Sequence, residues 1–489
     1  MTFLSKSKYL AGLQCSKLLW YHYNAKEDIP APDEATQAIF DQGHEVGELA
    51  KTLFPGGIDV AKGIVDFAQV LPQSLEAIKS RKALFEAAFS YKNAFARADV
   101  LNPVGKGQWD IIEVKSSTEV KDINFHDLAL QRYTYEGAGL KVRNCFLMYI
   151  NNEYVRRGRI DPKNLFIRDD VTKQVADLLP KVEGNLKGMV DVIRLKKRPD
   201  ISIGPQCNDP YDCPLHEMCW DFLPDHNVFT LNRLGRKAFD LLKQGVTRIV
   251  DIPENYKLNV TQRIQRESVK HRQPKIDKPA IRAFLKELKY PLYFLDFETF
   301  ATAIPLFDEV RPYQQIPFQF SLHIVTAEGE EAEHHSYLAD GSVDPRREIR
   351  SGLKSLLGTK GSIISYNAPF ERARLKEACK VNPQHSTWWD RTEPRIVDLL
   401  APFRAFHYYH PDQEGSASMK AVLPALTGTS YEGMAIAGGG AASREYLRVT
   451  FGDATSVEKQ MVRKQLEDYC ALDTMGMIQI LDRLTELSE

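Results

Sequence analysis

Asp99 closes the stretch ARAD, and Glu113 and Lys115 stand two apart in WDIIEVKSS. Residues two apart on a strand point to one face. Glu113 and Lys115 therefore face one side together, and Asp99 can meet them from a neighbouring strand. Two such carboxylates offer hard oxygen ligands to Mg²⁺ or Mn²⁺. A lysine beside them can hold an attacking water or stabilise developing charge. A Glu and a Lys on one exposed strand face can also do no more than pair with each other. A second set is richer in carboxylates. Asp296 and Glu298 stand two apart in PLYFLDFETF, an apolar run where burying both is costly unless a cation holds them. Glu371 opens the helix of a strand-then-helix pattern, GSIISYNAPFERARL, and Tyr469 and Asp473 are four apart in DYCALD, on one helical face.

Three of the seven cysteines fall in CNDPYDCPLHEMC, where five residues separate Cys207 from Cys213 and five separate Cys213 from Cys219. That is ligand-like spacing. Cys15 lies far upstream, in AGLQCSKLLWYHY. Cys145, Cys379 and Cys470 sit in apolar or helical settings and read as small core residues.

The first constellation has a longer context. His44, in DQGHEVGELA, precedes it on a helix; Gln131 and Tyr135, in ALQRYTYEG, follow it at i and i+4. The order His, Asp, ExK, QxxxY resembles the RecB-like nucleases of the PD-(D/E)xK superfamily. The resemblance implies that Asp99 and Glu113 bind metal, that His44 adds a ligand, that Lys115 is catalytic, and that Gln131 and Tyr135 lie near the nucleic acid. Asp110 is a rival carboxylate, less well placed because it precedes the apolar run. One cysteine before this core and three after it look like the iron–sulfur members of the family, among them AddB-type helicase–nucleases and CRISPR-associated exonucleases. There a [4Fe–4S] cluster held by residues matching Cys15, Cys207, Cys213 and Cys219 staples the domain ends together. The five-residue first gap leaves a Cys₄ zinc site open.

The second constellation resembles the DnaQ-like, or DEDD, exonucleases of the RNase H-like fold. Its DxE, N-x₃-(D/E) and Y-x₃-D motifs come in the family order, and Tyr469 marks the tyrosine subgroup. The resemblance implies that Asp296, Glu298, Glu371 and Asp473 hold two divalent cations and that Tyr469 orients the attacking water. Glu371 stands where the family has aspartate, which puts geometry and rate in question. Asp398 is a possible supporting carboxylate, and Ser418 and Lys420, in GSASMKAVL, resemble the family's serine–lysine segment.

These residues need scaffolds. The chain has 489 residues, enough for two to four domains at roughly 100–200 residues each. Strand, strand, helix, strand patterns place the first set in an α/β domain with a mixed sheet over 1–225, and the RecB-like resemblance implies that this domain is restriction-endonuclease-like. FEAAFSYKNAFARADVLNP alternates and is expected to turn at Asn102-Pro103. Residues 226–289 read as a polar helical bridge; AFDLLKQGVTRIVDIP resembles a helix–hairpin–helix, whose backbone amides can meet a phosphate, or a plain linker. Residues 290–489 read as the RNase H-like exonuclease domain, with Gly438–Gly440 as a flexible loop near its functional end.

Lys and Arg total 64 and Asp and Glu 65, which excludes a bulk polycation but not local patches such as Arg263, Arg266, Lys270, Arg272, Lys275 and Lys278. No apolar run approaches the roughly 20 residues of a membrane span, and no secretory signal is visible, so a cytoplasmic protein without membrane attachment is expected. The expected activity is metal-dependent hydrolysis of DNA phosphodiesters, on single strands or ends, with 3′–5′ exonuclease action at the C-terminal site, in repair, recombination or defence. RNA as substrate, and an iron–sulfur nucleic-acid-binding module with one active site, are the alternatives. The sequence names no protein partner.

Overall fold

The computed structural model describes residues 3–63, 67–380 and 386–489. Its contacts divide the chain into Met1–Phe222 with Thr302–Gln314, and Leu223–Ala301 with Gln315–Glu489. The division expected at 225 and 289 is therefore drawn differently. Residues 226–289 belong to the second unit, and 302–314 belong to the first.

The first unit is built on a six-stranded mixed sheet in chain order: β1 (Ile58–Asp59), β2 (Leu84–Tyr91), β3 (Ala94–Val104), β4 (Gln108–Lys115), β5 (Lys141–Ile150) and β6 (Phe166–Asp170). β2, β3 and β4 form an antiparallel meander, and β5 joins β4 in parallel after a crossover through a helix. β3 does not turn at Asn102-Pro103. It continues to Val104, with Pro103 opposite Trp109, and the reversal comes at Gly105 and Gly107, whose φ values of 50° and 82° suit glycine. The helices that matter for the site are α1 (Lys6–Gln14), α2 (Ser16–Asn24), α3 (Glu34–Lys51), α4 (Asp122–Gly137) and α5 (Thr172–Ile193). α3 begins where Asp33 caps it, accepting from Thr36 N at 2.8 Å. The segment 302–314 packs Ala303 into the cluster of Val46 and Ile112. Its Tyr313 hydroxyl donates to the Ser116 carbonyl and to Gln42 Oε1.

The second unit holds β7 (Lys275–Ile276), β8 (Leu292–Phe300), β9 (Ile316–Val325), β10 (Glu333–Leu338), β11 (Ser362–Ser365), β12 (Ile396–Asp398) and β13 (Tyr408–Tyr409). Five of these form a sheet in the order β10-β9-β8-β11-β12, with β9 antiparallel to β8 and β11 parallel to it. β8 is the middle strand, covered on both faces, and so reads as an almost continuous apolar run. Around it lie α6 (Lys237–Lys243), α7 (Val260–His271), α8 (Ala368–Lys380), α9 (Met419–Thr427), α10 (Gly439–Phe451) and α11 (Ser456–Ser488). A capping box starts α11: Thr455 Oγ1 accepts from Glu458 N, and the Glu458 carboxylate accepts from Thr455 N.

Residues 226–289 have an apolar cluster of their own, including Val228, Leu231, Leu241 and Ile249. They join the rest of the unit through backbone pairing of β7 with β13 and through Asn232 Nδ2, which donates to Gly415 O at 2.9 Å. Gly415 permits that approach: a Cβ there would lie 2.2 Å from Thr230 O, and its φ is +76°. Gly438–Gly440 is not a loop. Gly438 caps α10 and Gly439 begins it. A Cβ on Gly438 would fall 2.4 Å from Lys420 Nζ, and one on Gly439 3.3 Å from Glu298 Oε2, so these glycines let the helix end press against charged side chains.

Candidate active sites and a cysteine centre

β8 delivers Asp296 and Glu298 to one face, and α11 packs across that strand with Tyr469 and Asp473. Among the described residues, the set whose ligand atoms all lie within 4.8 Å of one another is Asp296, Glu298 and Asp473. Glu371 stands in the first turn of α8, buried, and its Oε2 has no hydrogen-bond partner. Burial raises the proton affinity of every member of the group. Asp296 lies well above the usual carboxylate range, through burial and then the charges of Asp473, Glu371 and Glu298. Glu298 is pushed up to about 8 by burial and by Asp473, with Lys420 opposing. Glu371 also rises to about 8, from burial and then Asp398 and Asp473. Asp473 rises to about 6 by burial, restrained by hydrogen bonds from Tyr431 and Tyr469. Three carboxylates thus converge, while Glu371 acts on them through its charge and is not one of the close set. An orphaned buried oxygen and unrelieved like charge are what a divalent-cation site leaves when only its donors are considered. The donor set fits Mg²⁺ or Mn²⁺.

Tyr431 was not visible as a site residue in the sequence. Its hydroxyl donates to Asp473 Oδ1, and its ring lies 5.9 Å from that of Tyr469. No spacing signal links position 431 to 473. Cys470, buried as expected, has its thiol 3.6 Å from Asp296 Oδ2. Asp398 accepts from Ala368 N, Leu400 N and Arg404 Nη1, which makes it a brace for the start of α8.

In the first unit β3, β4 and α4 bring together Asp99, Glu113, Lys115 and Gln131. Lys115 Nζ lies 2.7 Å from Glu113 Oε1, Gln131 Nε2 donates to Glu113 Oε2 at 2.7 Å, and Asp99 Oδ2 accepts from Val114 N at 2.7 Å. Two residues join them that the sequence reading did not include. Lys6, the first residue of α1, lies 2.6 Å from Glu113 Oε1, and Asp127 takes Lys115 at 3.1 Å and Gln131 at 2.9 Å. Asp127, Gln131 and Tyr135 recur every four residues on one face of α4, so Asp127 had a sequence signal; Lys6 had none. Burial opposes the charge on Glu113, but Lys115 and Lys6 overcome it and hold its carboxyl well below the usual range. Burial and the Glu113 charge lift Asp99 to about 7.

Two expected roles change, those of Tyr135 and Gln131. Tyr135 is fully buried; its hydroxyl donates to Ala87 O at 2.6 Å and accepts from Ala98 N at 2.8 Å, so it ties α4 to β2 and β3 and cannot touch nucleic acid. Gln131 is fully buried as well and orients Glu113 and Asp127. His44 is exposed on α3, and no hydrogen bond or ion pair among the described residues ties it to Asp99 or Glu113. Asp110 is held by Arg143 at 2.9 and 2.5 Å, a structural ion pair.

Cys15, Cys207, Cys213 and Cys219 line one cavity with Lys17, Leu215 and His216, and all four are free thiols. Cys15 sits at the junction of α1 and α2. Gln14 Nε2 pins this junction to the late loop through Gln206 O at 2.8 Å and Tyr211 O at 2.6 Å. Cys213 N donates to Cys207 O at 2.8 Å, folding the triplet back on itself. Burial lifts the Cys213 thiol to about 11 and raises that of Cys219, costs that a bound metal would reverse by taking thiolates. The four thiols share one cavity, but no three of their sulfurs lie within 4.8 Å of one another, wider than a single tetrahedral zinc ion takes.

Residues 293–418 match a family described as a domain of unknown function (DUF2779). The match spans Asp296, Glu298 and Glu371 and stops before Asp473. No curated protein matches the chain. Among solved structures, that entitled "Crystal structure of SSO0001" aligns at 13% identity over 46% of this chain and 88% of its own, with a TM-score of 0.21. Among the described residues no helix is long and apolar enough to cross a membrane.

Proposed function

We propose that the chain is a divalent-metal-dependent nuclease that hydrolyses phosphodiester bonds of DNA, single strands or free ends, with the second unit acting as a 3′–5′ exonuclease of DnaQ-like type. The observation that carries this reading is the close set of Asp296, Glu298 and Asp473, whose ligand oxygens lie within 4.8 Å of one another, with the buried carboxylate of Glu371 in the same unit. The strand order of the second sheet, with β9 alone reversed among β9, β8, β11 and β12, supports an RNase H-like reading. Bound Mg²⁺ or Mn²⁺ would polarise a phosphoryl oxygen and make hydroxide available at neutral pH. Asp296 and Glu298 would hold the cations from the rigid middle strand, and Asp473 from α11. Tyr431 donates to Asp473 Oδ1 and holds that carboxylate, and Tyr469 would orient the attacking water. Glu371, in the first turn of α8 with an unpartnered buried oxygen, would complete the set.

For the first unit the same chemistry of the RecB-like type is proposed at Asp99, Glu113 and Lys115, within a domain stapled by a [4Fe–4S] cluster on Cys15, Cys207, Cys213 and Cys219, or by Zn²⁺. The contact of Lys6 with Glu113 favours a second reading, in which this unit binds nucleic acid and only the C-terminal site cuts. A cytoplasmic setting accords with the free thiols.

The test is cleavage of 5′- and 3′-labelled single-stranded DNA, and of matched RNA, with Mn²⁺, by the native chain purified without oxygen and by Glu113→Ala, Asp296→Ala and the double variant. Loss of the 3′–5′ ladder in Asp296→Ala is expected. Unchanged cleavage in that variant defeats the exonuclease assignment. Unchanged cleavage in Glu113→Ala, with an inert Asp296→Ala, selects the one-site reading.

A further inference from the structure

A cavity of about 310 Å³ opens in the second unit between the 226–289 segment and the segment that leads into α9. Arg233, Arg404, Asn259, Thr261 and Ser418 line its polar side, Phe406 contributes to its apolar side, and no acidic residue lines it. Its size and mixed lining suit a sugar–phosphate. Arg233 is exposed and forms no hydrogen bond or ion pair among the described residues. Its backbone, however, is rigidly held. Asn232 N donates to Gln265 Oε1 at 2.7 Å, Asn232 Nδ2 to Gly415 O at 2.9 Å, and Thr261 Oγ1 to Asn232 Oδ1 at 3.2 Å. Arg233 itself takes a left-handed φ of 53°, a conformation that a side chain resists. Arg404 gives one nitrogen to Asp398 at 3.3 Å, and its planar fork has further donors. Asn259 is already occupied in capping α7, accepting from Gln262 N at 2.9 Å, so the cations rather than the helix end make the site.

One segment links the cavity to the carboxylate group. Ser418 lines the cavity, and Lys420 two residues on lies against Gly438, next to the glycine that faces Glu298 Oε2, with its ammonium 5.9 Å from the ring of Tyr431, the donor to Asp473. Tyr366, which leads from β11 toward Glu371, donates to Ala417 O at 2.7 Å. One short segment therefore connects a cationic pocket to a cation-demanding acidic group. We propose that this pocket is the backbone subsite for the strand whose end lies at the carboxylates, with Arg233 and Arg404 taking an internucleotide phosphate. This rests on the nuclease reading of the second unit.

The experiment uses the full chain. Binding of 5′-fluorescein oligothymidylate is followed by anisotropy at several salt concentrations, in an Asp296→Asn background with Mn²⁺ to suppress cleavage. Arg233→Ala should weaken binding about tenfold and reduce the salt slope by about 0.7, the value for one phosphate contact on a single strand. In the otherwise native chain it should raise KM with kcat unchanged, because the contact lies away from the bond broken. Arg404→Gln should do the same, and Arg404→Lys should recover part of the loss. Among the described residues the Arg233 side chain has no hydrogen-bond or ion-pair partner to lose, so its variant keeps the fold. Unchanged affinity and slope in both arginine variants, while the native chain binds and cleaves, overturns the subsite and leaves the nuclease reading intact. Weakened binding of thymidine 5′-monophosphate with unchanged oligonucleotide affinity also overturns it, in favour of a free-nucleotide site. A native chain that neither binds nor cleaves defeats the nuclease reading, and this inference with it.

Discussion

Single side chains decide which of the two acidic sites is ready for a metal. At Glu113 two ammonium groups, Lys6 and Lys115, already stand at 2.6 and 2.7 Å. Lys6→Ala removes one of them, lets the Glu113 carboxyl rise toward its ordinary range, and vacates an oxygen. In an Asp296→Ala background it is expected to lower the Mn²⁺ concentration for half-maximal cleavage about tenfold, a reasonable share for one close charge in a partly buried site. If it silences cleavage as fully as Glu113→Ala does, Lys6 belongs to the catalytic machinery instead. Tyr135 gives a sharper contrast between position and contact. Tyr135→Phe leaves the buried Ala98 amide without its acceptor, so a loss of about 1–3 kcal/mol in stability is expected. Affinity for single-stranded DNA should not move; a stable variant with weaker binding returns Tyr135 to the nucleic-acid surface.

The elements set the pH behaviour. β8, α8 and α11 together hold Glu298 and Glu371 at about 8 and Asp473 at about 6, above the ordinary carboxyl values of roughly 4. Between those limits the folded unit binds more protons than the unfolded chain. The contribution of these carboxyls to stability without metal is therefore complete below about pH 4 and is lost as pH rises from there through the folded values, to about 8. Thermal melts in EDTA should show a lower melting temperature near pH 9 than near pH 5, and excess Mn²⁺ should restore it at the higher pH. Asp296→Asn should raise the melting temperature in EDTA at high pH while abolishing cleavage, because repulsion is removed with function. Equal melting at both pH values in EDTA would contradict the raised proton affinities. At the other end of the chain, Gln14 ties the α1–α2 junction to the late cysteine loop, and a metal on the thiols would strengthen that tie. Cys213→Ser is expected to lose stoichiometric iron, or zinc, by elemental analysis and to lower the melting temperature of the first unit. Full metal content in that variant removes Cys213 from the ligand set.

For the molecule as a whole, the boundary of the second unit matters most. Residues 226–289 supply Asn232 to Gly415, β7 to β13, and Arg282 Nη2 to the Glu489 carbonyl at 2.9 Å. A chain begun at 290 loses these bonds and uncovers what Ile281 packs against. It is expected to be degraded faster in limited proteolysis than one begun at 223, and to lack the Arg233 pocket altogether. Equal resistance of the two fragments would restore 226–289 to the status of a linker.

The carboxylates were legible in sequence because local geometry alone brings them into line: period two in β8 for Asp296 and Glu298, period four in α11 for Tyr469 and Asp473, and apolar flanks that mark both elements as buried. The cysteine triplet was legible for a similar reason, since its spacing is short enough for a single loop to close. Lys6, Tyr431 and Arg233 were not legible. Each reaches its partners across a gap that no sequence period measures, and only packing of distant elements puts an ammonium on Glu113, a phenol on Asp473, or a cation on a pocket beside Ser418. The same limit governs Gln131 and Tyr135. Their helical phase was plain from the chain, but whether that phase faces solvent or core depends on the strands packed beneath α4, and burial is decided only when those strands are in place.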